Sequence, residues 1–245
     1  MDRKFRAARI WSNKMIRDYA PLFGGDICNI SAWKDSDKQG SYYQDYFVNA
    51  TSYSVTNYYG ERGFDDSQRV LSSDVPNITE YILDLTDPSL PTELYRKFTV
   101  VMNHTVMEHI YDNRTAFKNI CDMSREVVIS IVPWVQEVHI ASDSSWLDYW
   151  RYSPYAMQQL YNENGYSMVV CEYNDDYDTA VYLFTIGIRK EILKSEKYSA
   201  FDEYVISKDN PAGGWIGTKT KRFDSIYTKL IRFGNPIRQL FKTNE

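Results

Sequence analysis

The chain has 245 residues, 43% of them hydrophobic and 16% aromatic, which is enough for one large α/β domain with its own core. Lysine and arginine number 28 against 33 aspartate and glutamate residues, and the net charge of −5 argues against a nucleic-acid groove across the main body. No apolar run approaches the roughly 20 residues of a membrane span, so no transmembrane segment is predicted.

The two ends of the chain are basic, unlike the middle. Residues 1–20 carry six lysines and arginines against two aspartates, and residues 215–245 carry seven against two acidic residues. Such faces are most often simply solvated, although they can also contact a protein partner or an anionic membrane surface. The N-terminus lacks the apolar core of a signal peptide, and three widely spaced cysteines in apolar settings predict buried free thiols. A reducing, cytoplasmic location is therefore expected.

The first predicted element is an amphipathic helix over residues 3–19, where Ile10 and Ile16 lie near one face and Pro21 follows the end. Short apolar runs then predict five strands in chain order: 26–31, 52–57, 80–85, 98–104 and 126–133. Between the fourth and fifth strands, residues 113–124 have helical spacing.

The last third of the predicted domain holds one more helix and two strands. Residues 153–165 predict a helix with Ser153 as N-cap, Pro154 in the first turn and Gly165 just past the end. Two strands follow, over 166–173 and 179–191, joined by a segment short enough for a hairpin.

Strands that alternate with helices and close in a hairpin predict the α/β fold class. The expected architecture is a Rossmann-like, seven-stranded, mostly parallel sheet with an antiparallel last strand and helices on both faces. Residues 1–191 would form this domain together with its N-terminal helix. Residues 192–245 would form a basic C-terminal extension packed on or beside it.

Ligands of an open parallel sheet bind beyond the carboxyl ends of its strands, where the strand order reverses. The residues that follow the predicted strands are therefore the candidates: Ser31, Ala32, Trp33, Asn57, Asp84, Leu85, Asn103, His104, Pro133 and Trp134. Short polar groups, tight-turn residues and aromatic rings of this kind suit a nucleoside-like ligand. The three histidines are too scattered along the chain to predict a metal site.

Several of these segments, in order, resemble the class I S-adenosylmethionine-dependent methyltransferases over roughly residues 24–190. They are ILDLTD (82–87), FTVVMNHTVMEHI (98–110), VVISIVPWVQEVH (127–139) and DYWRYSPYAMQQLYNENGYSMVVCEY (148–173). The pieces VP, VH and DYWRY together resemble members linked to bacterial surface-polysaccharide modification. That sub-family link is an analogy at the level of the fold.

The resemblance implies S-adenosylmethionine (SAM) as cofactor, with a donor site formed by Ser31, Ala32, Asn57, Asp84, Leu85, Asn103 and His104. In the family, the first loop meets the methionine end, an acid after the second strand meets the ribose, and an Asp-hydrophobe pair meets the adenine. This chain departs from the pattern twice. Its first loop, NISAWKDSDKQG, is not glycine-rich, and Asn57 stands where the ribose-binding acid is expected.

The acceptor side is expected around the loop after the fifth strand. His139 is the candidate general base for a hydroxyl acceptor, since a neutral imidazole near pH 7 suits proton removal. Trp134 and Tyr149 are candidate contacts for a sugar ring. Two roles are open for Arg151: it could bind a phosphate or carboxylate of the acceptor, or it could pair with Asp148.

The sequence thus predicts O-methylation of a small-molecule or glycan acceptor, with a sugar of surface-polysaccharide biosynthesis as the preferred substrate. The alternative is a non-catalytic binding or partner protein with a methyltransferase fold, because the first loop is altered. A nicotinamide-dependent Rossmann enzyme is weaker, since no G-x-G-x-x-G pattern is present.

Overall fold

A computed structural model describes residues 3–58, 78–138, 147–174 and 180–206. Seven strands form one sheet: β1 (Gly24–Ile30), β2 (Asn49–Asn57), β3 (Ile78–Ile82), β4 (Phe98–His104), β5 (Ser124–Val135), β6 (Tyr166–Tyr173) and β7 (Val181–Arg189). Within these ranges, three α-helices accompany it: α1 (Arg3–Tyr19), α2 (Asn113–Met123) and α3 (Pro154–Glu163). The seven predicted strands and three predicted helices are all confirmed, with boundaries that differ by a few residues.

The strands lie in the order β3-β2-β1-β4-β5-β7-β6. The first five strands are mutually parallel, and β7 runs antiparallel to both β5 and β6. The predicted mostly parallel sheet with an antiparallel last strand is therefore confirmed. The order reverses between β1 and β4, where Ile30 pairs with Asn103 at the carboxyl ends of the two strands.

Helices cover both faces of the sheet and bury an apolar layer on each. On one face, Ala8 and Ile16 of α1 belong to a cluster that includes Val100 and Met102 of β4. On the other face, side chains of α2 and α3 pack against the opposite residues of the strands, for example Phe117. Among the described helices, α1 is therefore the one on the face toward which Val100 and Met102 of β4 point.

Local capping explains where the helices begin. The Asp112 side chain accepts a hydrogen bond from the backbone N–H of Thr115 at 3.2 Å and caps α2. Ser153 caps α3 in the same way through Ala156 at 3.2 Å, with Pro154 in the first turn. Gly165 follows α3 at φ +79°, so the caps predicted for this helix are confirmed.

The third strand is shorter than predicted, and the difference decides where two candidate residues lie. It ends at Ile82, whereas the sequence pattern extends to residue 85. Asp84 Oδ1 accepts hydrogen bonds from the backbone N–H and the hydroxyl of Thr86, at 2.8 and 2.7 Å. This local turn competes with strand pairing, so Asp84 stands just past the strand.

Several other expectations concern the ends and the thiols. Cys28, Cys121 and Cys171 are free and buried, as predicted. Leu193 and Tyr198, which lie beyond the expected domain end at residue 191, belong to the same core cluster as α1. Residues 207–245 and the predicted hairpin turn lie outside the described residues. Over the part of the chain that is described, no helix is both long and apolar enough to cross a membrane.

Candidate functional site

The carboxyl ends of β1 and β4 border the point where strand order reverses, and the backbone there is strained. Ser31, Trp33 and Asp35 in the loop after β1 have φ values of 49°, 50° and 53°, and Thr105 after β4 has 54°. This left-handed region favours glycine and is costly for other residues, by about 1–2 kcal/mol each. Strain of this kind persists only where surrounding contacts enforce it, and it clusters at functional sites.

Hydrogen bonds from β2 hold the first half of this loop. The backbone N–H of Ser31 donates to Thr56 Oγ1 at 3.1 Å, and the N–H of Trp33 donates to Asn57 Oδ1 at 2.8 Å. Two strained residues are thus fixed by side chains of the neighbouring strand. The loop keeps a backbone path that a glycine-rich loop would follow without steric cost.

The second half of the loop is anchored by the carboxylate of Asp35, which is fully buried. It accepts hydrogen bonds of 2.8 Å from Asn29 Nδ2, the Tyr53 hydroxyl and the backbone N–H of Gln44. Burial raises the pKa of Asp35 to about 6, against the lowering effect of these three donors. One side chain therefore ties β1, β2 and the 3-10 helix Tyr43–Tyr46 together.

Asn57, the candidate ribose contact, is buried and already has two partners. Its Oδ1 accepts from Trp33, and its Nδ2 donates to Glu80 Oε1 at 2.7 Å. An aspartate at this position would place a second carboxylate beside Glu80, which explains physically why the amide is suitable here. A carbonyl oxygen has two lone pairs, so Asn57 Oδ1 can accept one further hydrogen bond.

The adenine candidates lie at the same edge. Asp84 is exposed, and its Oδ1 is engaged by Thr86 while its Oδ2 makes no hydrogen bond to the described residues. Leu85 is buried in the core, and its carbonyl accepts from Asn119 Nδ2 at 2.9 Å. The Thr86 contacts hold the Asp84 carboxylate in place. Its Oδ2 can therefore accept a hydrogen bond from a ligand beside the apolar Leu85.

Asn103 brings an unpartnered polar atom to the end of β4. Its side chain is fully buried, and Nδ2 donates to Ser130 Oγ at 2.7 Å. Its Oδ1 has no hydrogen-bond partner among the described residues. A buried carbonyl oxygen without a donor is uncommon, and an ordered water or a ligand donor is the usual explanation.

His104 follows Asn103, is also buried, and contacts residues of α1. Its Nδ1 lies 2.7 Å from Arg9 Nη1, and its Nε2 lies 2.8 Å from Ser12 Oγ. Burial, followed by the charge of Arg9, lowers the pKa of His104 well below its usual range, so the ring is neutral. Because arginine can only donate, Nδ1 accepts and Nε2–H donates to Ser12. Ser12 Oγ in turn donates to the carbonyl of Arg9 at 3.0 Å.

Glu108 is not among the site residues predicted from the sequence, and the structure gives it an unusual position. It lies in the 3-10 helix Met107–His109, is 1% exposed, and its Oε2 has no hydrogen-bond partner among the described residues. Burial, with a smaller contribution from Asp148, raises its pKa to about 8. The sequence signal was the placement of an acid four residues after a buried strand.

The acceptor-side candidates are only partly described. Trp134 is half-buried and packs edge-on against Tyr173, with ring centroids 5.6 Å apart. Tyr149 is exposed and lies 5.4 Å from the ring of Tyr111. His139, the candidate base, lies outside the described residues.

Arg151 has all five N–H donors engaged. Nε donates to the Gln136 carbonyl at 2.9 Å, and Nη2 to the Glu137 carbonyl at 2.8 Å. Nη1 reaches the Trp150 carbonyl at 2.6 Å, and both terminal nitrogens bind the carboxylate of Asp148. The pairing with Asp148 is therefore present, and an acceptor anion would have to displace one of these contacts.

Comparison with protein-family models and with curated proteins found no match. Solved structures do match. The SAM-dependent methyltransferase from Mesorhizobium loti is 11% identical with a TM-score of 0.52, over 74% of this chain and 98% of that one. The magnesium protoporphyrin IX methyltransferase from Synechocystis PCC 6803, with bound SAM, is 10% identical with a TM-score of 0.52, over 76% and 82% of the two chains.

A third similar structure is the 1,6-didemethyltoxoflavin-N1-methyltransferase from Burkholderia thailandensis, with bound 1,6-didemethyltoxoflavin and S-adenosylhomocysteine (SAH). It is 9% identical with a TM-score of 0.52, over 76% of this chain and 83% of that one. At this level of identity the likeness shows the fold. The chain therefore has the Rossmann-like fold of the SAM-dependent methyltransferases.

The raised pKa of Glu108 predicts how stability depends on pH. Since its pKa of about 8 in the folded protein lies above the ordinary 4.5, its stabilising effect is complete below about pH 4.5. That effect is lost as pH rises toward 8. Urea unfolding should show the wild type losing stability relative to Glu108→Gln by about 1 kcal/mol per pH unit between pH 5 and 8.

Two comparisons decide this prediction. The exposed Glu93→Gln variant should follow the wild type across the pH range, because the change removes one carboxylate at the surface. Parallel pH curves for wild type and Glu108→Gln would show that Glu108 is ionised in the folded protein at neutral pH.

Proposed function

We propose that the chain is a SAM-dependent methyltransferase that transfers a methyl group to an oxygen of a small-molecule acceptor. The observation that carries the proposal is the strained edge of β1 and β4. There, Ser31, Trp33, Asp35 and Thr105 all have left-handed φ values beside the unpartnered Oδ1 of Asn103. Strain and an unsatisfied buried oxygen at a point of strand-order reversal favour a ligand site over simple packing.

The residues of this edge fit the donor proposed for it. Asn103 Oδ1 would accept from the ammonium of the methionine end, next to the small side chains of Ser31 and Ala32. The free lone pair of Asn57 would accept a ribose hydroxyl, and Asp84 Oδ2 would accept from the adenine amine beside Leu85. SAM supplies a methyl group on a sulfonium, which is already a good leaving group, so the protein contributes mainly positioning.

The proposed acceptor is a sugar hydroxyl, with a unit of surface polysaccharide as the preferred source. The exposed Tyr149 and the half-buried Trp134 offer aromatic faces of the kind that pack on sugar rings. His139 remains the proposed base that removes the hydroxyl proton. His104 is less suited to that task, because Arg9 and Ser12 engage both of its nitrogens. The free buried cysteines suit the reducing cytoplasm that we propose as location.

A second candidate is a non-catalytic protein that uses the methyltransferase fold as a binding scaffold. One observation favours it: Asn57 Oδ1, the proposed ribose acceptor, already binds the backbone of Trp33 within the loop itself. The first loop thus occupies, with its own backbone, an acceptor that the proposal assigns to the ribose. Binding of the donor separates the two candidates, since a scaffold that has lost the donor site gains no stability from SAH.

Replacing Asp84 by alanine should weaken SAH binding by about tenfold while the fold stays intact, because an exposed carboxylate would lose a charge-assisted bond to the adenine amine. Isothermal titration calorimetry with SAH measures the change. Asp87→Ala is the matched control, since Asp87 is also exposed and its Oδ1 caps a local turn through Ser89 at 2.8 Å. Equal affinities for wild type and Asp84→Ala would remove Asp84 from the donor site.

His139→Ala should lower methyl transfer by about 10²–10⁴-fold with little change in SAH affinity, since a base on the acceptor side does not touch the donor. Turnover is measured by mass spectrometry of a pool of sugars and sugar phosphates after incubation with methyl-labelled SAM. Normal turnover in the variant, or a defect confined to donor binding, would contradict the assignment of His139.

A further inference from the structure

A cleft on the sheet face covered by α1 is lined by cations that form no salt bridge with the described residues. The residues that line it, called here the α1 cleft, are Arg6, Arg9, Ile10, Lys38 and Gln39, and its volume is about 140 Å³. Arg6, Arg9 and Ile10 lie three and four residues apart, so they share one side of the helix. Among the described residues, no acidic side chain belongs to this lining.

Arg9 is the unusual member because its charge is held by neutral groups. Nη1 contacts the ring of His104 at 2.7 Å and the Tyr43 hydroxyl at 3.3 Å, and Nη2 donates to Thr105 Oγ1 at 3.1 Å. Nε is buried without a hydrogen-bond partner among the described residues. Within those residues Arg9 makes no salt bridge, and Glu108, which interacts with it electrostatically, is largely protonated near pH 7.

Other arginines of the chain show how this protein normally compensates a guanidinium. Arg151 binds the carboxylate of Asp148, and Arg125 binds that of Asp26 at 2.8 Å. Arg189 lacks a carboxylate but donates to the carbonyls of Cys121 and Ser124, at the negative end of α2. Arg9 has neither kind of partner, and an uncompensated, partly buried charge is destabilising. A bound anion would supply the missing charge.

The opposite wall of the cleft is held in place by the loop after β1. Gln39 Oε1 accepts from Asn13 Nδ2 and from Arg17 Nη2, both at 2.8 Å, which fixes the loop on α1. Lys38, which directly precedes Gln39, has a φ of +59° and is another strained backbone position. The pKa of Lys38 is lowered, first by partial loss of solvent around its ammonium and then by repulsion from Arg9. An anion between the two cations would remove that repulsion.

We propose that the α1 cleft binds a phosphate group carried by the methyl acceptor. A carboxylate carries one negative charge, which is less than three cations can balance. A phosphate carries up to two charges and several acceptor oxygens that Arg6, Arg9 and Lys38 can bind. The contacts of Arg9 with His104 and Thr105 place the cleft beside the carboxyl end of β4. This inference rests on the proposed function and narrows its substrate class to phosphorylated or nucleotide-linked sugars.

Binding of inorganic phosphate without donor tests the cleft separately from methyl transfer. At constant ionic strength set with chloride, phosphate should raise the melting temperature of the wild type saturably. Arg6→Gln and Lys38→Gln should each weaken the phosphate affinity by about tenfold, the value of one charge-assisted bond. Both residues are exposed, so these variants should melt near the wild-type temperature in the absence of phosphate.

Lys14→Gln is the matched control, because Lys14 lies on the same helix, is exposed and pairs with Asp18. It removes one positive charge and should change the phosphate affinity by less than about twofold. A wild-type response no larger than that of chloride would overturn the proposal. An equal loss in Lys14→Gln and Lys38→Gln would also overturn it, because the effect would then follow the net charge of α1.

A donor arm distinguishes the acceptor phosphate from the carboxylate of the donor. SAH carries that carboxylate, whereas 5′-methylthioadenosine lacks it. Equal affinities of wild type and Lys38→Gln for SAH support the acceptor assignment. If Lys38→Gln weakens the binding of SAH but leaves the affinity for 5′-methylthioadenosine unchanged, the cleft belongs to the donor and the proposal is overturned. Failure of SAH to bind the wild type would refute the proposed function, while the phosphate titration would still decide the cleft.

Discussion

The buried carboxylate of Asp35 is the constraint on which the candidate site depends. It accepts hydrogen bonds from Asn29 on β1, Tyr53 on β2 and the backbone of Gln44. These three contacts close the loop after β1 against the sheet, in a conformation that non-glycine residues avoid. Without them, the loop would relax away from the point of strand-order reversal. Packing around one fixed carboxylate thus replaces the conformational freedom that glycine would provide.

From that constraint, the site divides into two regions along the edge of the sheet. The region at β1, β2 and β3 offers acceptors suited to a nucleoside, with Asn57 and Asp84 as its polar groups. The region at β4 and α1 offers cations and Asn103 Oδ1, which has no hydrogen-bond partner within the described part of the chain. Within the second region, neutral His104 contacts Arg9, which links the strained end of β4 to the helix that covers it.

Much of the fold could be predicted from the sequence because it is encoded locally. Alternating apolar runs, the Ser153 cap and Gly165 each act over a few residues, and all were confirmed. The end of β3 was misplaced because an Asp84 turn competes with pairing, which apolar pattern alone does not reveal.

The candidate site was less predictable because its contacts join residues distant in sequence. The contact between Arg9 and His104 spans 95 positions. Burial of Glu108 depends on the surrounding fold rather than on its neighbours in sequence. No pattern in the sequence favours Arg9 over Arg151 as an anion ligand. The structure shows that the donors of Arg151 are engaged by Asp148 and by three backbone carbonyls.

Hydrogen–deuterium exchange with and without SAH tests the central claim most directly, namely that the strained edge of β1 and β4 is a donor site. The amide of Trp33 already bonds to Asn57, and a ligand held against this loop should suppress its opening further. The account predicts slower exchange in residues 31–37 and 103–108 at saturating SAH, with residues 154–163 of α3 unchanged. Unaltered exchange in both edge segments, or protection confined to other parts of the chain, would contradict it.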